Sequence, residues 1–314
     1  ASASGCDCAN WVATSGSPGP EPGGAHLLLK GPQQSARYAS IIVVMGTSLV
    51  SDLLPQGHAL LRMLQRRVVD PARPDVALRA LGYNRQYGPQ AALVIKGAAE
   101  NPDRIAIVDE RGTLTHAQYE AQSNALARGL RASGLKSGDV IAVLARDHRG
   151  LLLIISAAAR AGMRLAMMNT GFGKTQFAEV AEREKIVAML YDEEFTDLAD
   201  SLPADTLRIV TWIDGNRPVG DGVQTLDDIA ATGDTSTPPE PAAWGGLVIL
   251  TSGTTGLPKG AQRSKMSPFA SALLLDRIPL PQRSAMVIVS PIFHSTGFAL
   301  WGVGTALGNK TVVM

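Results

Sequence analysis

Thiols are almost missing from this chain. Of its 314 residues only Cys6 and Cys8 are cysteines, both within the first ten positions. The body therefore has no disulfide, no cysteine metal site and no cysteine nucleophile, and a reducing, cytoplasmic setting fits that usage. Net charge is also nearly absent, because 29 Lys plus Arg face 28 Asp plus Glu. That balance gives no support for nucleic-acid binding. The five histidines, at positions 26, 58, 116, 148 and 294, are scattered with no metal-ligand spacing. Long apolar runs are lacking as well. The longest mainly apolar stretches, Ile41–Met45 and Leu151–Ala159, fall far short of the roughly 20 residues of a membrane helix. Neither has the position or flanks of a secretory signal. What remains is globular in composition, 45% hydrophobic, and long enough for two domains or one large one.

Residues 1–35 contain 15 Gly, Pro and Ser and three charges. This composition predicts a disordered leader extending to about residue 40. From about Leu49 to Asn101 the pattern is helical. Leu60, Leu61, Leu64 and Val68 recur at helical spacing with Arg62, Arg66 and Arg67 between them, and Arg73, Arg79 and Arg85 continue the basic character. Residues 41–100 are thus expected to form a helical segment on a domain's flank. Peripheral contact with an anionic membrane is the less favoured use of those arginines.

Beyond Ile105 the chain alternates. Ile105–Asp109 reads as a strand, Arg111-Gly112 as a turn and Thr113-Leu114 as a short strand. Thr115 and Gln118 have capping-box spacing, opening a helix that stops at Gly134. Strands Val140–Ala145, Met163–Met168, Ile186–Tyr191 and Leu207–Ile213 follow. Between them lie helices Gly150–Ala161 and Lys174–Glu184 and a short one near Glu194–Ala199. Strands alternating with helices predict an α/β fold of βαβ units with mainly parallel sheets. Residues 215–243, ending in Thr237-Pro-Pro-Glu-Pro241, read as a linker. A helix is expected from about Ser267 and a strand over Ala285–Ser290.

Leu247 to Gly260 reads LVILTSGTTGLPKG. Four aliphatic residues suit a buried strand. It breaks into Thr251, Ser252, Gly253, Thr254, Thr255 and Gly256, where four hydroxyls and two glycines offer rotatable donors and main-chain N–H groups to an anion. Lys259 adds a mobile positive charge. An ordinary hairpin accounts for any one of these residues, but few structural demands ask for all of them together. A Walker-type loop is excluded, since the template started at Gly253 needs glycine where Pro258 stands. Gly173-Lys174-Thr175 fails the same template at Met168.

TSGTTGLPKG closely resembles the signature of the AMP-forming adenylating enzymes, the superfamily of acyl-CoA synthetases, luciferases and peptide-synthetase adenylation domains. Weaker likenesses support it: Leu114-Thr115 with the helix after it, and the stretch Arg160-Ala-Gly162 to Asn169, which is mainly structural in acyl-CoA synthetases. Pro291-Ile-Phe-His-Ser-Thr-Gly297 is similar to the block in fatty-acyl ligases whose histidine lines the acyl pocket. The resemblance covers about Asn101 to Met314. It implies an α/β adenylating domain of stacked βαβ subdomains, incomplete at its C-terminal side. It implies that Thr251, Ser252, Gly253, Thr254, Thr255, Gly256 and Lys259 hold ATP phosphates and that His294 lines the substrate pocket. It further implies MgATP and coenzyme A as co-substrates of a carboxylic acid, most simply a fatty acid. The family's later blocks, with its catalytic lysine, are not in these 314 residues, so none of them is expected to be catalytic. Thr311-Val-Val-Met314 is expected to be an apolar strand with an unpaired edge. An acyl-AMP ligase serving a carrier protein, an amino-acid adenylation domain and a non-catalytic nucleotide-binding fragment remain open alternatives.

Overall fold

The computed structural model describes residues 57, 61–215, 223–231, 233–251, 259–263, 275 and 278–314. The expected leader, the proposed helix from Ser267 and most of the Gly/Thr loop lie outside the described residues. Helices α1 (Pro74–Tyr87) and α2 (Pro89–Glu100) precede the first strand, each with a proline in its first turn, where the missing N–H has no helical partner to lose.

The main sheet is built from β3 (Val140–Leu144), β4 (Arg164–Met167), β5 (Ile186–Asp192), β6 (Leu207–Trp212), β7 (Gln224–Thr225), β8 (Leu247–Thr251) and β9 (Lys259–Arg263). Their order across the sheet is β7-β6-β5-β3-β4-β8-β9. Every pairing is parallel except the β8–β9 hairpin. All five residues of β3, VIAVL, are buried, as an interior strand covered on both faces requires. A smaller sheet, ordered β10-β11-β1-β2, joins β1 (Ile105–Asp109) and β2 (Gly112–Thr115) to β10 (Ala285–Val287) and β11 (Lys310–Val312). The α/β, mainly parallel reading holds.

Helix α3 (His116–Ala132) starts at the expected reciprocal cap. Thr115 accepts from the Gln118 N–H, and the Gln118 side chain accepts from the Thr115 N–H. Helix α4 (Arg149–Ala161) ends at Gly162, which is left-handed with φ +74°. A Cβ there would come within 2.5 Å of the Ala243 carbonyl and the Ser137 hydroxyl. Helix α5 (Lys174–Glu184) and the short α6 (Thr196–Ala199) fall where the sequence puts them. Between α3 and α4, Arg160 is fully buried. Its guanidinium donates to Glu120 at 2.5 and 3.1 Å and to the Asn124 side-chain oxygen at 2.7 Å. The Arg160 stretch is therefore a packing element, in line with its structural role in the resemblance.

The sequence reading needs correction in three places. The span 215–243 is more than a linker: β7 leads into α7 (Leu226–Ala230) through a second reciprocal cap, between Thr225 and Asp228. Its last part is then pinned across α3, since carbonyls of Thr235, Ser236, Thr237 and Pro239 accept from Asn124, Arg128 and Arg131. The strand expected to Ser290 ends at Val287 and is followed by an unexpected helix, α8 (Ser295–Ala306). Finally, β11 is no edge. It pairs in parallel with both β1 and β10, and Val313 is buried with its N–H donated to Val108. The unpaired edge expected of this strand is therefore filled on both sides.

Candidate functional site

Parallel strands share one carboxyl edge, so the turns after β3, β4, β5 and β6 all emerge on the same side of the main sheet, the side on which β8 also ends. From β3 the chain passes to β4 on one side and then to β5 on the other. This reversal opens a crevice between β3 and β5, the place where ligands of such sheets bind. A cleft of about 270 Å³ lies there, lined by Arg146, Asp147 and His148 after β3, by Asp192 and Glu194 at and after β5, and by Trp212 and Asp214 at and after β6. Asp109 at the end of β1 and Val313 just after β11 add to the wall.

The wall is held rigidly. His148 is buried and caps α4, its Nδ1 accepting the Gly150 N–H at 3.0 Å. The ring proton is thereby assigned to Nε2, which donates to Asp192 at 2.8 Å. Asp192 also accepts from the Arg146 N–H at 2.6 Å and from the Thr211 hydroxyl. The imidazole stacks on Trp212, with ring centroids 4.6 Å apart. Both nitrogens of His148 are engaged, so the pair positions the turn after β3 and has no free base to offer. Arg149 closes the other side through Asp109. Burial alone would raise that carboxyl, but bonds from the Arg149 side chain and backbone hold it below the usual range.

Asp147 faces the smaller sheet. Its two oxygens accept the Ile292 N–H at 3.0 and 3.3 Å. Burial pushes this carboxyl up, while the Ile292 bond and the nearby His148 and His294 pull it down. The turn that carries His294 is thus tied to the end of β3. His294 itself is exposed, at the N-cap position of α8, its ring centroid 4.4 Å from that of Phe293.

Of the other expected site residues, Thr251 and Lys259 belong to the β8–β9 flank of the sheet. Thr251 ends β8 and Lys259 begins β9, and the two are ladder partners. Ser252, Gly253, Thr254, Thr255 and Gly256 lie outside the described residues. β8 joins the sheet beside β4 because Gly245 precedes it without a side chain: a Cβ there would stand 1.7 Å from the Met163 carbonyl oxygen. The donor set between Thr251 and Lys259, hydroxyls, glycines and one amine, fits a polyphosphate by its chemistry. Among the described residues, no group of three or more His, Cys, Asp and Glu is placed to hold a metal ion, and no helix is long and apolar enough to cross a membrane. The cleft residues escaped sequence reading, since the strand order that brings them together is invisible in a linear pattern.

A protein-family profile described as AMP-binding enzyme matches residues 95–314. The fatty acid–[acyl-carrier-protein] ligase ScoC of Streptomyces coeruleorubidus is 28% identical over 239 residues, covering 73% of this chain and 45% of that protein. A Rhodopseudomonas palustris structure described as a long-chain-fatty-acid CoA ligase superposes with a TM-score of 0.59 at 26% identity, covering 71% of this chain and 56% of the other. The O-succinylbenzoate coenzyme A synthetase of Bacillus subtilis, in complex with ATP and magnesium ion, gives a TM-score of 0.55 at 20% identity, with coverage of 71% and 56%. The chain spans less than half the length of the curated relatives it matches, 45% and 37% of two of them.

Proposed function

This chain belongs to the AMP-binding enzyme family, and from that premise we propose that it is the N-terminal part of an AMP-forming acyl-CoA synthetase of the fatty-acid branch. The observation that carries the reading is the Thr251–Lys259 connection, a string of phosphate-compatible donors strung between two paired strands at the carboxyl end of β8. In this assignment Thr251, Ser252, Gly253, Thr254, Thr255, Gly256 and Lys259 hold the β- and γ-phosphates of MgATP, and His294 lines the acyl site. A carboxylate attacks the α-phosphorus, pyrophosphate leaves, and the thiol of coenzyme A then displaces AMP to give the thioester. The chain's own contribution is to orient the phosphates and shield them from bulk water. We assign residues 1–40 to a leader, 41–100 to a helical segment and 101–314 to the adenylating domain. A carrier-protein thiol as acceptor is the second reading, favoured by the likeness to the Streptomyces ligase.

The test uses the protein extended by the rest of its adenylating enzyme. Lys259→Ala is expected to slow pyrophosphate exchange while leaving fatty-acid binding intact, because a phosphate-facing charge is removed and the acyl pocket is untouched. His294→Ala is expected to alter acyl preference or thioester formation. Unchanged exchange in the lysine variant would remove the phosphate-loop assignment, and an effect of the histidine variant on ATP affinity alone would remove the pocket assignment. Residues 1–314 by themselves, given MgATP, coenzyme A and fatty acids, are expected to release no AMP. Sustained turnover would overturn the fragment reading.

A further inference from the structure

The residues on either side of Asp147 are pinned. The Arg146 N–H donates to Asp192 at 2.6 Å, and the buried His148 ring is held by Asp192 and by the Gly150 N–H. The Asp147 side chain therefore leaves the turn after β3 from a fixed point. It reaches a residue 145 positions later, where both of its oxygens share one donor, the Ile292 N–H, at 3.0 and 3.3 Å. Stability gives little reason for a carboxylate there. Burial works against its charge, and one neutral amide compensates a buried carboxylate poorly. An ionised acceptor does, however, hold an N–H about twice as strongly as a neutral one.

The Ile292 end of the contact is stiff as well. Its side chain is fully buried, and the His294 N–H donates back to the Pro291 carbonyl at 3.0 Å, closing the turn. Gly297, in the first turn of α8, packs so close that a Cβ would stand 2.3 Å from the carbonyl oxygens of Ser290 and Pro291. The turn, His294 and the start of α8 thus form one piece, and the Asp147 bond registers that piece against the end of β3. His294 is near enough for its charge to pull on the Asp147 carboxyl.

We propose that Asp147 is a positioning residue, which sets where His294 stands and through it which acyl chains are accepted. This assignment rests on the reading of His294 as part of the acyl site. A shift of the turn moves that wall, and one methylene more or less in an apolar pocket changes selection by about 10–200-fold.

Hydrogen exchange of the Ile292 amide in the 314-residue chain reads the bond itself. Asp147→Ala is expected to speed it at least about tenfold, and Asp147→Asn, which keeps an acceptor oxygen in place, to hold it near the parent's rate. The consequence is read in the enzyme extended by its remaining part, as the ratio of kcat/KM for hexadecanoate and octanoate. Asp147→Ala is expected to shift this ratio about tenfold, and Asp147→Asn to restore most of it. The double variant Asp147→Ala with His294→Ala is expected to match His294→Ala alone. Simple destabilisation lowers turnover of both acids alike and leaves the ratio in place. Asp147→Glu keeps the charge, adds one methylene and is expected to shift the ratio by displacing the turn; it carries the test if the alanine variant does not fold. An unchanged Ile292 exchange rate, a fixed ratio while His294→Ala moves it, or additive effects in the double variant would overturn the proposal. Faster exchange with a ratio that neither Asp147→Ala nor His294→Ala moves would support the positioning of His294 and overturn its place in the acyl site, so the two failures are told apart.

Discussion

Replacing Glu120 with alanine isolates a charge that has nowhere to go. The Arg160 side chain has no exposure, and Glu120, 2.5 Å away, is its ionic partner across the α3–α4 interface. Asn124 and Ser156 stay to accept hydrogen bonds at 2.7 and 3.3 Å, but neither carries charge. Burial is the largest influence on both ionic groups: it raises the Glu120 carboxyl and lowers the Arg160 guanidinium, against their mutual attraction. Breaking such a pair from one side typically destabilises by about 3–5 kcal/mol. Arg160→Met should be milder, about 1–3 kcal/mol, because Glu120 keeps some solvent contact and its raised carboxyl can take a proton. The double variant Glu120→Leu with Arg160→Met should lose clearly less than the sum of the single losses, since the desolvation of both charges disappears together. Urea unfolding followed by tryptophan fluorescence reads all three. A loss below about 1 kcal/mol for Glu120→Ala, the level of an exposed ion pair, would refute the claim that this charge is trapped.

Two further outcomes concern His116 and Gly245. His116 is buried at the start of α3, and burial, with Arg104 and Lys96 adding to it, lowers its pKa from 6.5 to about 4. The unfolded chain therefore binds a proton below pH 6.5 that the folded chain refuses until about pH 4. Stability should fall with pH across that window by about 1.4 kcal/mol per unit. Urea midpoints between pH 7 and pH 4 should show that slope, and His116→Gln should flatten it; an equal slope in the variant would place the effect elsewhere. Gly245→Ala should destabilise by at least about 2 kcal/mol, because its Cβ would overlap the Met163 carbonyl and push β8 from β4. A melting temperature equal to the parent's would show that β8 can shift freely.

Local chemistry was legible where it is complete within a few residues. The Thr115–Gln118 cap and the glycine stop at Gly162 set the ends of α3 and α4 as expected. Helix α8 was missed because its sequence, STGFALWGVGTA, is apolar on all sides and contains three glycines, which hides any 3.6-residue period. The Thr225–Asp228 cap was readable, but the surrounding Gly, Asp, Thr and Pro drowned it. The hydroxyl-rich string at Thr251–Lys259 is contiguous, so sequence alone revealed it. The His148–Asp192 and Arg149–Asp109 contacts join residues 40 or more positions apart. Nothing in a linear pattern pairs such residues before the strand order is known.

The placement of β11 has a consequence for how the polypeptide comes into being. Ile107 pairs with Thr311, so β1 leaves the ribosome about 200 residues before the strand that flanks it. Until then one side of β1 has only solvent, while the main sheet, β3 through β9, can assemble behind it from closer neighbours. During synthesis β1 and β2 wait as a bare hairpin, which is marginal in water without a third strand. Nascent chains stalled before codon 310 should therefore protect β3–β6 amides from exchange and leave those of β1 open. Maturation of the smaller sheet would then follow that of the main sheet, timed by translation itself.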